Sequence, residues 1–320
     1  MSAPAVPRLP FLAPWQRLAV GPDRIIFAHG GEAVTFEGRG AATLLPALLP
    51  LLDGTRTEEE IVAILGEPLR PAVEHAVALL ADHGVLAEGP PLDPGLPAPF
   101  AAAALTHAAS GSPESSPAAV RAQLAGADVR VVGGGAAAAE IGRLLRLSGV
   151  GVVEPSPWDP PTDLAVFVVV APDPHERNRL PAWNEAALAA GRPWLQVLPP
   201  DGSVTAIGPL FVPKETCCYE CYRRRRAANL DYPDEFWALE RSPGRQPVAP
   251  ALTAAVAGLA ATLALRWLLY RDPFAAGVLA MLELGATVGL RTHVVYRVPR
   301  CPACSEAATL APPLPWAEAP

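Results

Sequence analysis

Along the first 88 residues apolar and polar positions follow two rhythms in turn. Short apolar runs at 16–20, 24–28 and 33–36 are separated by Gly21-Pro22-Asp23 and by Gly30-Gly31, which predicts a small antiparallel meander. From Ala41 the spacing becomes helical. Residues 41–52 are apolar on most faces and stop at Asp53-Gly54. Thr57-Glu58-Glu59-Glu60 reads as a capping box, with Thr57 as N-cap and Glu60 at the third helical position, opening a helix that carries Ile61, Val62, Ile64 and Leu65. Pro71 suits the first turn of a third helix, in which Val73, Val77 and Leu80 share a face and after which Gly84 ends the run. Val85-Leu86-Ala87 then returns as a short strand. Strands, three helices and a closing strand predict a winged-helix-like module over residues 1–88.

Residues 89–118 are rich in Pro, Ala, Gly and Ser and keep neither period, the mark of a linker. Beyond them, over 119–320, strand and helix patterns alternate. Asp128–Val132 is a short buried strand running into Gly133-Gly134-Gly135 and an Ala-rich helix that lasts to Ser148. A strand at 150–153 ends at Glu154, and the apolar run 164–170 suits the centre of a parallel sheet. A helix near 183–190 and a strand at 194–198 continue the pattern. The fold class is therefore α/β, with a Rossmann-like doubly wound sheet after the first module. The uncharged segment 248–265 has the length of a marginal membrane span. Its many alanines, with Thr253, Gly258 and Thr262 inside and Arg266 directly after, read instead as a buried core helix.

Composition narrows the function. Hydrophobic residues make up 51% and exclude global disorder, while aromatics at 6% leave the cores to Ala, Val and Leu. A net charge of −7 argues against nucleic acid as a partner. The third helix adds to that argument, offering Arg70 against Glu74 and Asp82. The run Arg223-Arg224-Arg225-Arg226 is the local exception and reads as a solvated helix face. The N-terminal stretch lacks the charged start and continuous apolar core of a signal peptide, so a cytoplasmic location is expected. There paired cysteines are metal ligands more often than disulfides.

The five cysteines are Cys217, Cys218, Cys221, Cys301 and Cys304, and four of them form two C-x-x-C knuckles, Cys218/Cys221 and Cys301/Cys304. That donor set suits one tetrahedral zinc ion and leaves no position open for catalysis, with Cys217 as a bystander. Between a strand and a helix, residues 133–138 read G-x-G-x-x-A, and Glu154 follows about 20 residues on. Gly133 and Gly135 permit close backbone approach and free N–H groups that hold a phosphate, or they serve helix–strand packing alone. The six histidines are scattered, and no catalytic constellation is evident.

With the glycine turn before it and RVPRCPACS near the end, the stretch GPLFVPKETCCYECYRRRRAANL resembles the ThiF family, relatives of ubiquitin-activating enzymes. The whole chain is similar to the ThiF-type leader-peptide-binding proteins of thiazole/oxazole-modified microcin clusters. LLPLLDGTRTEEEIVAILGEP resembles PqqD-like recognition elements, winged-helix modules that bind the leaders of ribosomally made peptides. The resemblance implies structural zinc, a precursor leader bound by residues 1–88, and a separate ATP-using YcaO-type cyclodehydratase as partner. It implies neither nucleic acid nor membrane, and a homodimer is compatible with it. An extended leader adding to a sheet edge would lie along Ala33, Val34, Thr35 and Phe36, with pockets from Val73 and Val77, each of which also suits ordinary core. Adenylating members follow the second strand with an acid, then an Asn and an Arg that hold ATP, then a Lys and a magnesium-binding Asp. Here PSPWDPPTD follows Glu154 and the single lysine is Lys214, beside a knuckle. These departures argue against ATP as a cofactor and leave Gly133, Gly135 and Glu154 as a vestigial nucleotide site. The alternative is a ThiF-type ATP-dependent adenylyltransferase acting on a peptide or carrier carboxylate.

Overall fold

The structure is a computed structural model that describes residues 6–13, 15–29, 31–90, 117–200, 204–242, 248–272, 275–284 and 287–305. The chain divides into two compact units, residues 1–125 and 126–320. Most of the expected linker, 91–116, lies outside the described residues.

The first unit opens with β1 (Pro10–Leu12), followed by β2 (Arg17–Val20), β3 (Arg24–His29) and β4 (Glu32–Glu37). The last three form an antiparallel sheet in the order β2-β3-β4, so β4 is an edge. The apolar block 41–52 is not one helix. It is broken into α1 (Arg39–Thr43), α2 (Leu45–Leu48) and a 3-10 turn at Leu49–Leu51. Pro46 and Pro50 each lack the N–H that a continuous helix requires. α3 (Glu58–Leu65) starts at the expected capping box, where Glu60 N–H donates to Thr57 Oγ1 (3.3 Å) and Thr57 N–H to Glu60 Oε2 (2.8 Å). α4 (Arg70–Asp82) has Pro71 in its first turn, and β5 (Leu86–Glu88) pairs antiparallel with β1. Glu88 secures that pairing by accepting from the N–H groups of Arg8 (2.7 Å) and Leu9 (2.9 Å). Ile25, Ile61, Val62, Val73, Val77 and Leu86 are all at 0% exposure in one core. Each such burial is worth roughly 1.5–3 kcal/mol, the driving force that joins meander to helices. A further helix, α5 (Pro117–Ala125), ends the unit.

The second unit is built on seven strands: β6 (Asp128–Val132), β7 (Val152–Ser156), β8 (Phe167–Val170), β9 (Trp194–Val197), β10 (Val204–Phe211), β11 (Val278–Leu284) and β12 (Val288–Val294). Their order is β12-β11-β10-β9-β8-β6-β7. β7, β6, β8 and β9 run parallel, and β10, β11 and β12 extend the sheet antiparallel. The sheet is thus mixed. The sequence alternation described only its parallel half. All four residues of β8 are buried, as its unbroken apolar run requires of a central strand.

Five helices follow the strands: α6 (Ala136–Leu147), α7 (Leu180–Ala189), α8 (Tyr219–Ala228), α9 (Pro233–Arg241) and α10 (Pro250–Tyr270). Alternate residues of β8 serve opposite faces. Val168 and Val170 pack with Trp183 of α7 and with Tyr219 and Tyr222 of α8, while Phe167 meets Trp267 of α10 at 6.5 Å. α10 is long and apolar enough to cross a membrane by length and composition. Half of its most apolar window is buried, and it packs against α6, β9 and β10, as expected of a core helix.

Candidate metal centre

Two tight turns bring the cysteines together. In the first, Thr216 Oγ1 accepts from Val212 N–H (2.8 Å), turning the chain out of β10 toward α8. Cys218 is the N-cap of α8 and Cys221 lies one turn on, so both sulfurs leave the same side of the helix. Buried Asn184 on α7 fixes this start, its Oδ1 accepting from Tyr219 N–H at 2.9 Å. In the second turn Cys301 N–H donates to Val298 O (3.1 Å) and Ser305 N–H to Cys301 O (3.0 Å). Arg225 of α8 binds the carbonyls of Tyr296 and Arg297, and Arg297 binds those of Lys214 (3.1 Å) and Cys304 (2.8 Å). The knuckles are therefore clamped to each other by side chains as well as by any ion.

The sulfurs of Cys218, Cys221, Cys301 and Cys304 lie within 4.8 Å of one another. Three of the separations are 3.8 Å (Cys218–Cys221), 3.7 Å (Cys218–Cys301) and 3.5 Å (Cys221–Cys304). Four thiolates at zinc–sulfur bond length span tetrahedral edges of about 3.8 Å, so the donor set fits zinc. Val298 N–H donates to Cys221 Sγ (3.3 Å), a contact that spreads thiolate charge. A hydrogen bond from Cys218 chiefly, aided by Val298 N–H, holds the Cys221 thiol low against burial. The same bond to Cys221, together with burial, pushes Cys218 up. Four thiolates at once therefore need a cation among them. Cys217 stands outside the cluster, and burial pushes its thiol up to about 12.

The arginine run on α8 departs from the expected solvated face. Arg223 is 13% exposed and pairs with Glu220 (3.2 Å) and Glu240 (3.4 Å), and Arg226 lies 3.8 Å from Glu240. Arg225 is committed to the second knuckle, and Arg224, the most exposed, pairs with Glu220 at 2.7 Å. The cause is α9, which packs beside α8 and delivers Glu240.

The glycine turn is occupied by the chain's own carboxylates. Gly134 N–H donates to Glu176 Oε2 (2.9 Å), which also accepts from Asp173 N–H (3.0 Å), while Trp158 Nε1 donates to Glu176 Oε1 at 3.3 Å. A Cβ on Gly135 would meet Asp173 Oδ1 at 1.9 Å, and one on Gly133 would meet Ala171 O at 2.0 Å. Gly133 is thus required by close packing against the backbone after β8, while Gly135 makes room for the Asp173 side chain. Glu154, the acid expected in the vestigial nucleotide site, is ion-paired with Arg130. Asp173 and Glu176 were missed at the sequence level although their D-x-x-E spacing is a capping-box signal, and the box is formed. Asn184 and Arg297 carry no such signal.

In the first unit Ala33 and Thr35 are exposed on β4 while Val34 and Phe36 are half-buried. Phe36 stacks edge-on with Phe27 (5.8 Å) and with His83 at the end of α4 (5.7 Å). Val73 and Val77, expected to line a peptide pocket, are each at 0% exposure and offer no surface to a ligand. At helical spacing they point into the core with Leu80.

No protein-family profile matches the chain. None of the curated proteins matches it by sequence. Solved structures do match. The heterocyclase TruD is similar with a TM-score of 0.71 and 25% identity, over 95% of this chain and 44% of its own. A heterocyclase in complex with substrate and cofactor gives a TM-score of 0.70 and 23% identity, over 93% of this chain and 39% of its own. E. coli MccB gives 0.66 and 15% identity, over 93% of this chain and 97% of its own, a likeness of fold. The chain spans less than half the length of the two heterocyclases it matches.

Proposed function

We propose that this chain is a peptide-capturing scaffold of azoline biosynthesis. Residues 1–88 act as a PqqD-like, winged-helix-type module that binds the leader of a ribosomally made precursor peptide. The second unit is a ThiF-type domain stapled by zinc on Cys218, Cys221, Cys301 and Cys304. It presents the peptide to a YcaO-type cyclodehydratase in the cytoplasm, which closes the thiazoline or oxazoline rings. The observation that carries this reading is the likeness to the heterocyclase TruD over 95% of this chain, at a TM-score of 0.71. We assign the ATP-using step to the YcaO-type cyclodehydratase. Glu176 and Asp173 in the glycine turn support the same division of labour, because a phosphate there would meet two carboxylates.

Leader capture is assigned to the free edge of β4, where unpaired backbone groups accept an added strand. Successive N–H groups of a strand point to opposite edges. Of Val34→Pro and Thr35→Pro, one therefore removes a donor from the β3 ladder and the other a donor from the free edge. The second should stay folded by circular dichroism and bind the labelled leader at least about tenfold more weakly. Unchanged affinity in a folded variant of each kind would move the leader elsewhere. The fold of MccB favours one other reading, an adenylyltransferase. It is tested by pyrophosphate exchange: the isolated chain with Mg-ATP and precursor peptide should show none, and robust exchange would replace the scaffold reading.

A further inference from the structure

A cavity of about 640 Å³ lies in the second unit between α8 and the antiparallel end of the sheet. Its volume is that of sites for small molecules and short peptides. Leu198 after β9 and Leu279 and Met281 on β11 give it an apolar wall. Opposite stand Arg177, from the turn after β8, and Arg225 and Arg226 of α8. No acidic residue is among the described residues that line it.

Charge makes this lining unusual for the chain. The protein carries a net charge of −7, yet three arginines converge here. Arg177, Arg223 and Arg226 share Glu240, Arg223 and Arg224 share Glu220, and Arg225 is bonded to backbone carbonyls, so the described residues place two carboxylates among five guanidiniums. The cluster therefore holds an excess of positive charge beside low-dielectric apolar walls, which focus its field into the cavity. We infer that this cavity is a binding site for a ligand carrying a carboxylate on an apolar body. The arginines take the carboxylate and the β11 wall takes the apolar part. The site lies within the second unit and does not depend on the leader-capture reading.

Three probes test it by titration calorimetry on the full-length, zinc-loaded protein at low salt. They are acetyl-Leu-Phe with a free C-terminal carboxylate, the same dipeptide as its amide, and acetyl-Leu-Glu-Phe-amide. At least one carboxylate probe should bind with a Kd below about 1 mM, and the neutral amide at least tenfold more weakly. Which of the two acids binds better identifies the source as a chain terminus or an acidic side chain. His293 lines the cavity from the exposed edge strand β12, so His293→Glu places a negative charge at the rim without disturbing the core. It should weaken the acid about tenfold. Met281→Trp fills the cavity from its apolar wall and should abolish binding, with zinc content as the check on folding. Equal binding of acid and amide, no binding by any probe, or affinity unchanged in both variants would overturn the assignment.

Discussion

The glycine turn and the cysteine knuckles belong to the same unit, and the sequence advertises both, yet only at the knuckles do the motif's own residues assemble a complete donor set. At the knuckles the whole donor set is written into the chain: four sulfurs, each contributed by a paired turn, converge to tetrahedral spacing. At the turn the motif supplies half a site, the backbone N–H groups, and leaves the partner unspecified. A carboxylate from the segment after β8 takes that place. A motif is thus informative in proportion to how much of its ligand shell it contains. The knuckles need only a cation, whereas the turn needs whatever faces it to be vacant.

The largest effect expected is at the knuckles. The purified protein should hold one zinc per chain by elemental analysis, and Cys301→Ser should release it. Structural zinc binding is worth on the order of 10 kcal/mol, so releasing the ion should lower the Tm by roughly 20–40 °C. Cys217→Ser should keep the metal, since Cys217 lies outside the cluster. Zinc retained by Cys301→Ser, or absent from the parent, would remove the contrast. The next effect is at the turn. Gly133 has φ +125°, and a methyl there would lie 2.0 Å from a backbone oxygen. Gly133→Ala should cost about 3 kcal/mol and lower the Tm by roughly 6–12 °C. An alanine variant as stable as the parent would mean the turn has room, and a phosphate would again be a candidate for it.

The same distinction governs what else the sequence disclosed. Thr57 and Glu60 form their box because both partners lie within one turn, and nothing distant competes. The meander and the parallel strands were visible for a similar reason, their period being local. Pairing of β1 with β5 was not, because a three-residue strand near several prolines has no period to read, and its partner lies over 70 residues away. Nor was the antiparallel turn of the sheet after β9. Arg223 and Arg226 show the limit plainly. As a charge run they looked solvated, and Glu240 of α9, a neighbour only in space, makes them part of a partly buried network. Asn184, too, acts on the knuckle from another helix.

The smallest effect tests the carboxylate that replaces a ligand in the turn. Burial raises the Glu176 carboxyl, but donors from Gly134, Asp173 and Trp158 outweigh it and hold the group below its ordinary value of 4.5. A carboxylate with a depressed folded pKa stabilises the protein above the unfolded pKa, and that stability is lost as pH falls through the folded value. Glu176→Gln keeps the shape and one acceptor oxygen but removes the charge. At pH 7 it should be less stable than the parent by about 1 kcal/mol, the group being partly exposed and its field screened by water. The gap should narrow below pH 4.5 and close as the parent's own carboxyl is protonated. Urea denaturation of both proteins across that range reads it directly. A gap of constant size from pH 7 to the end of the acid range would mean that the substitution acts through shape, and the charge of Glu176 would then have no part in filling the turn.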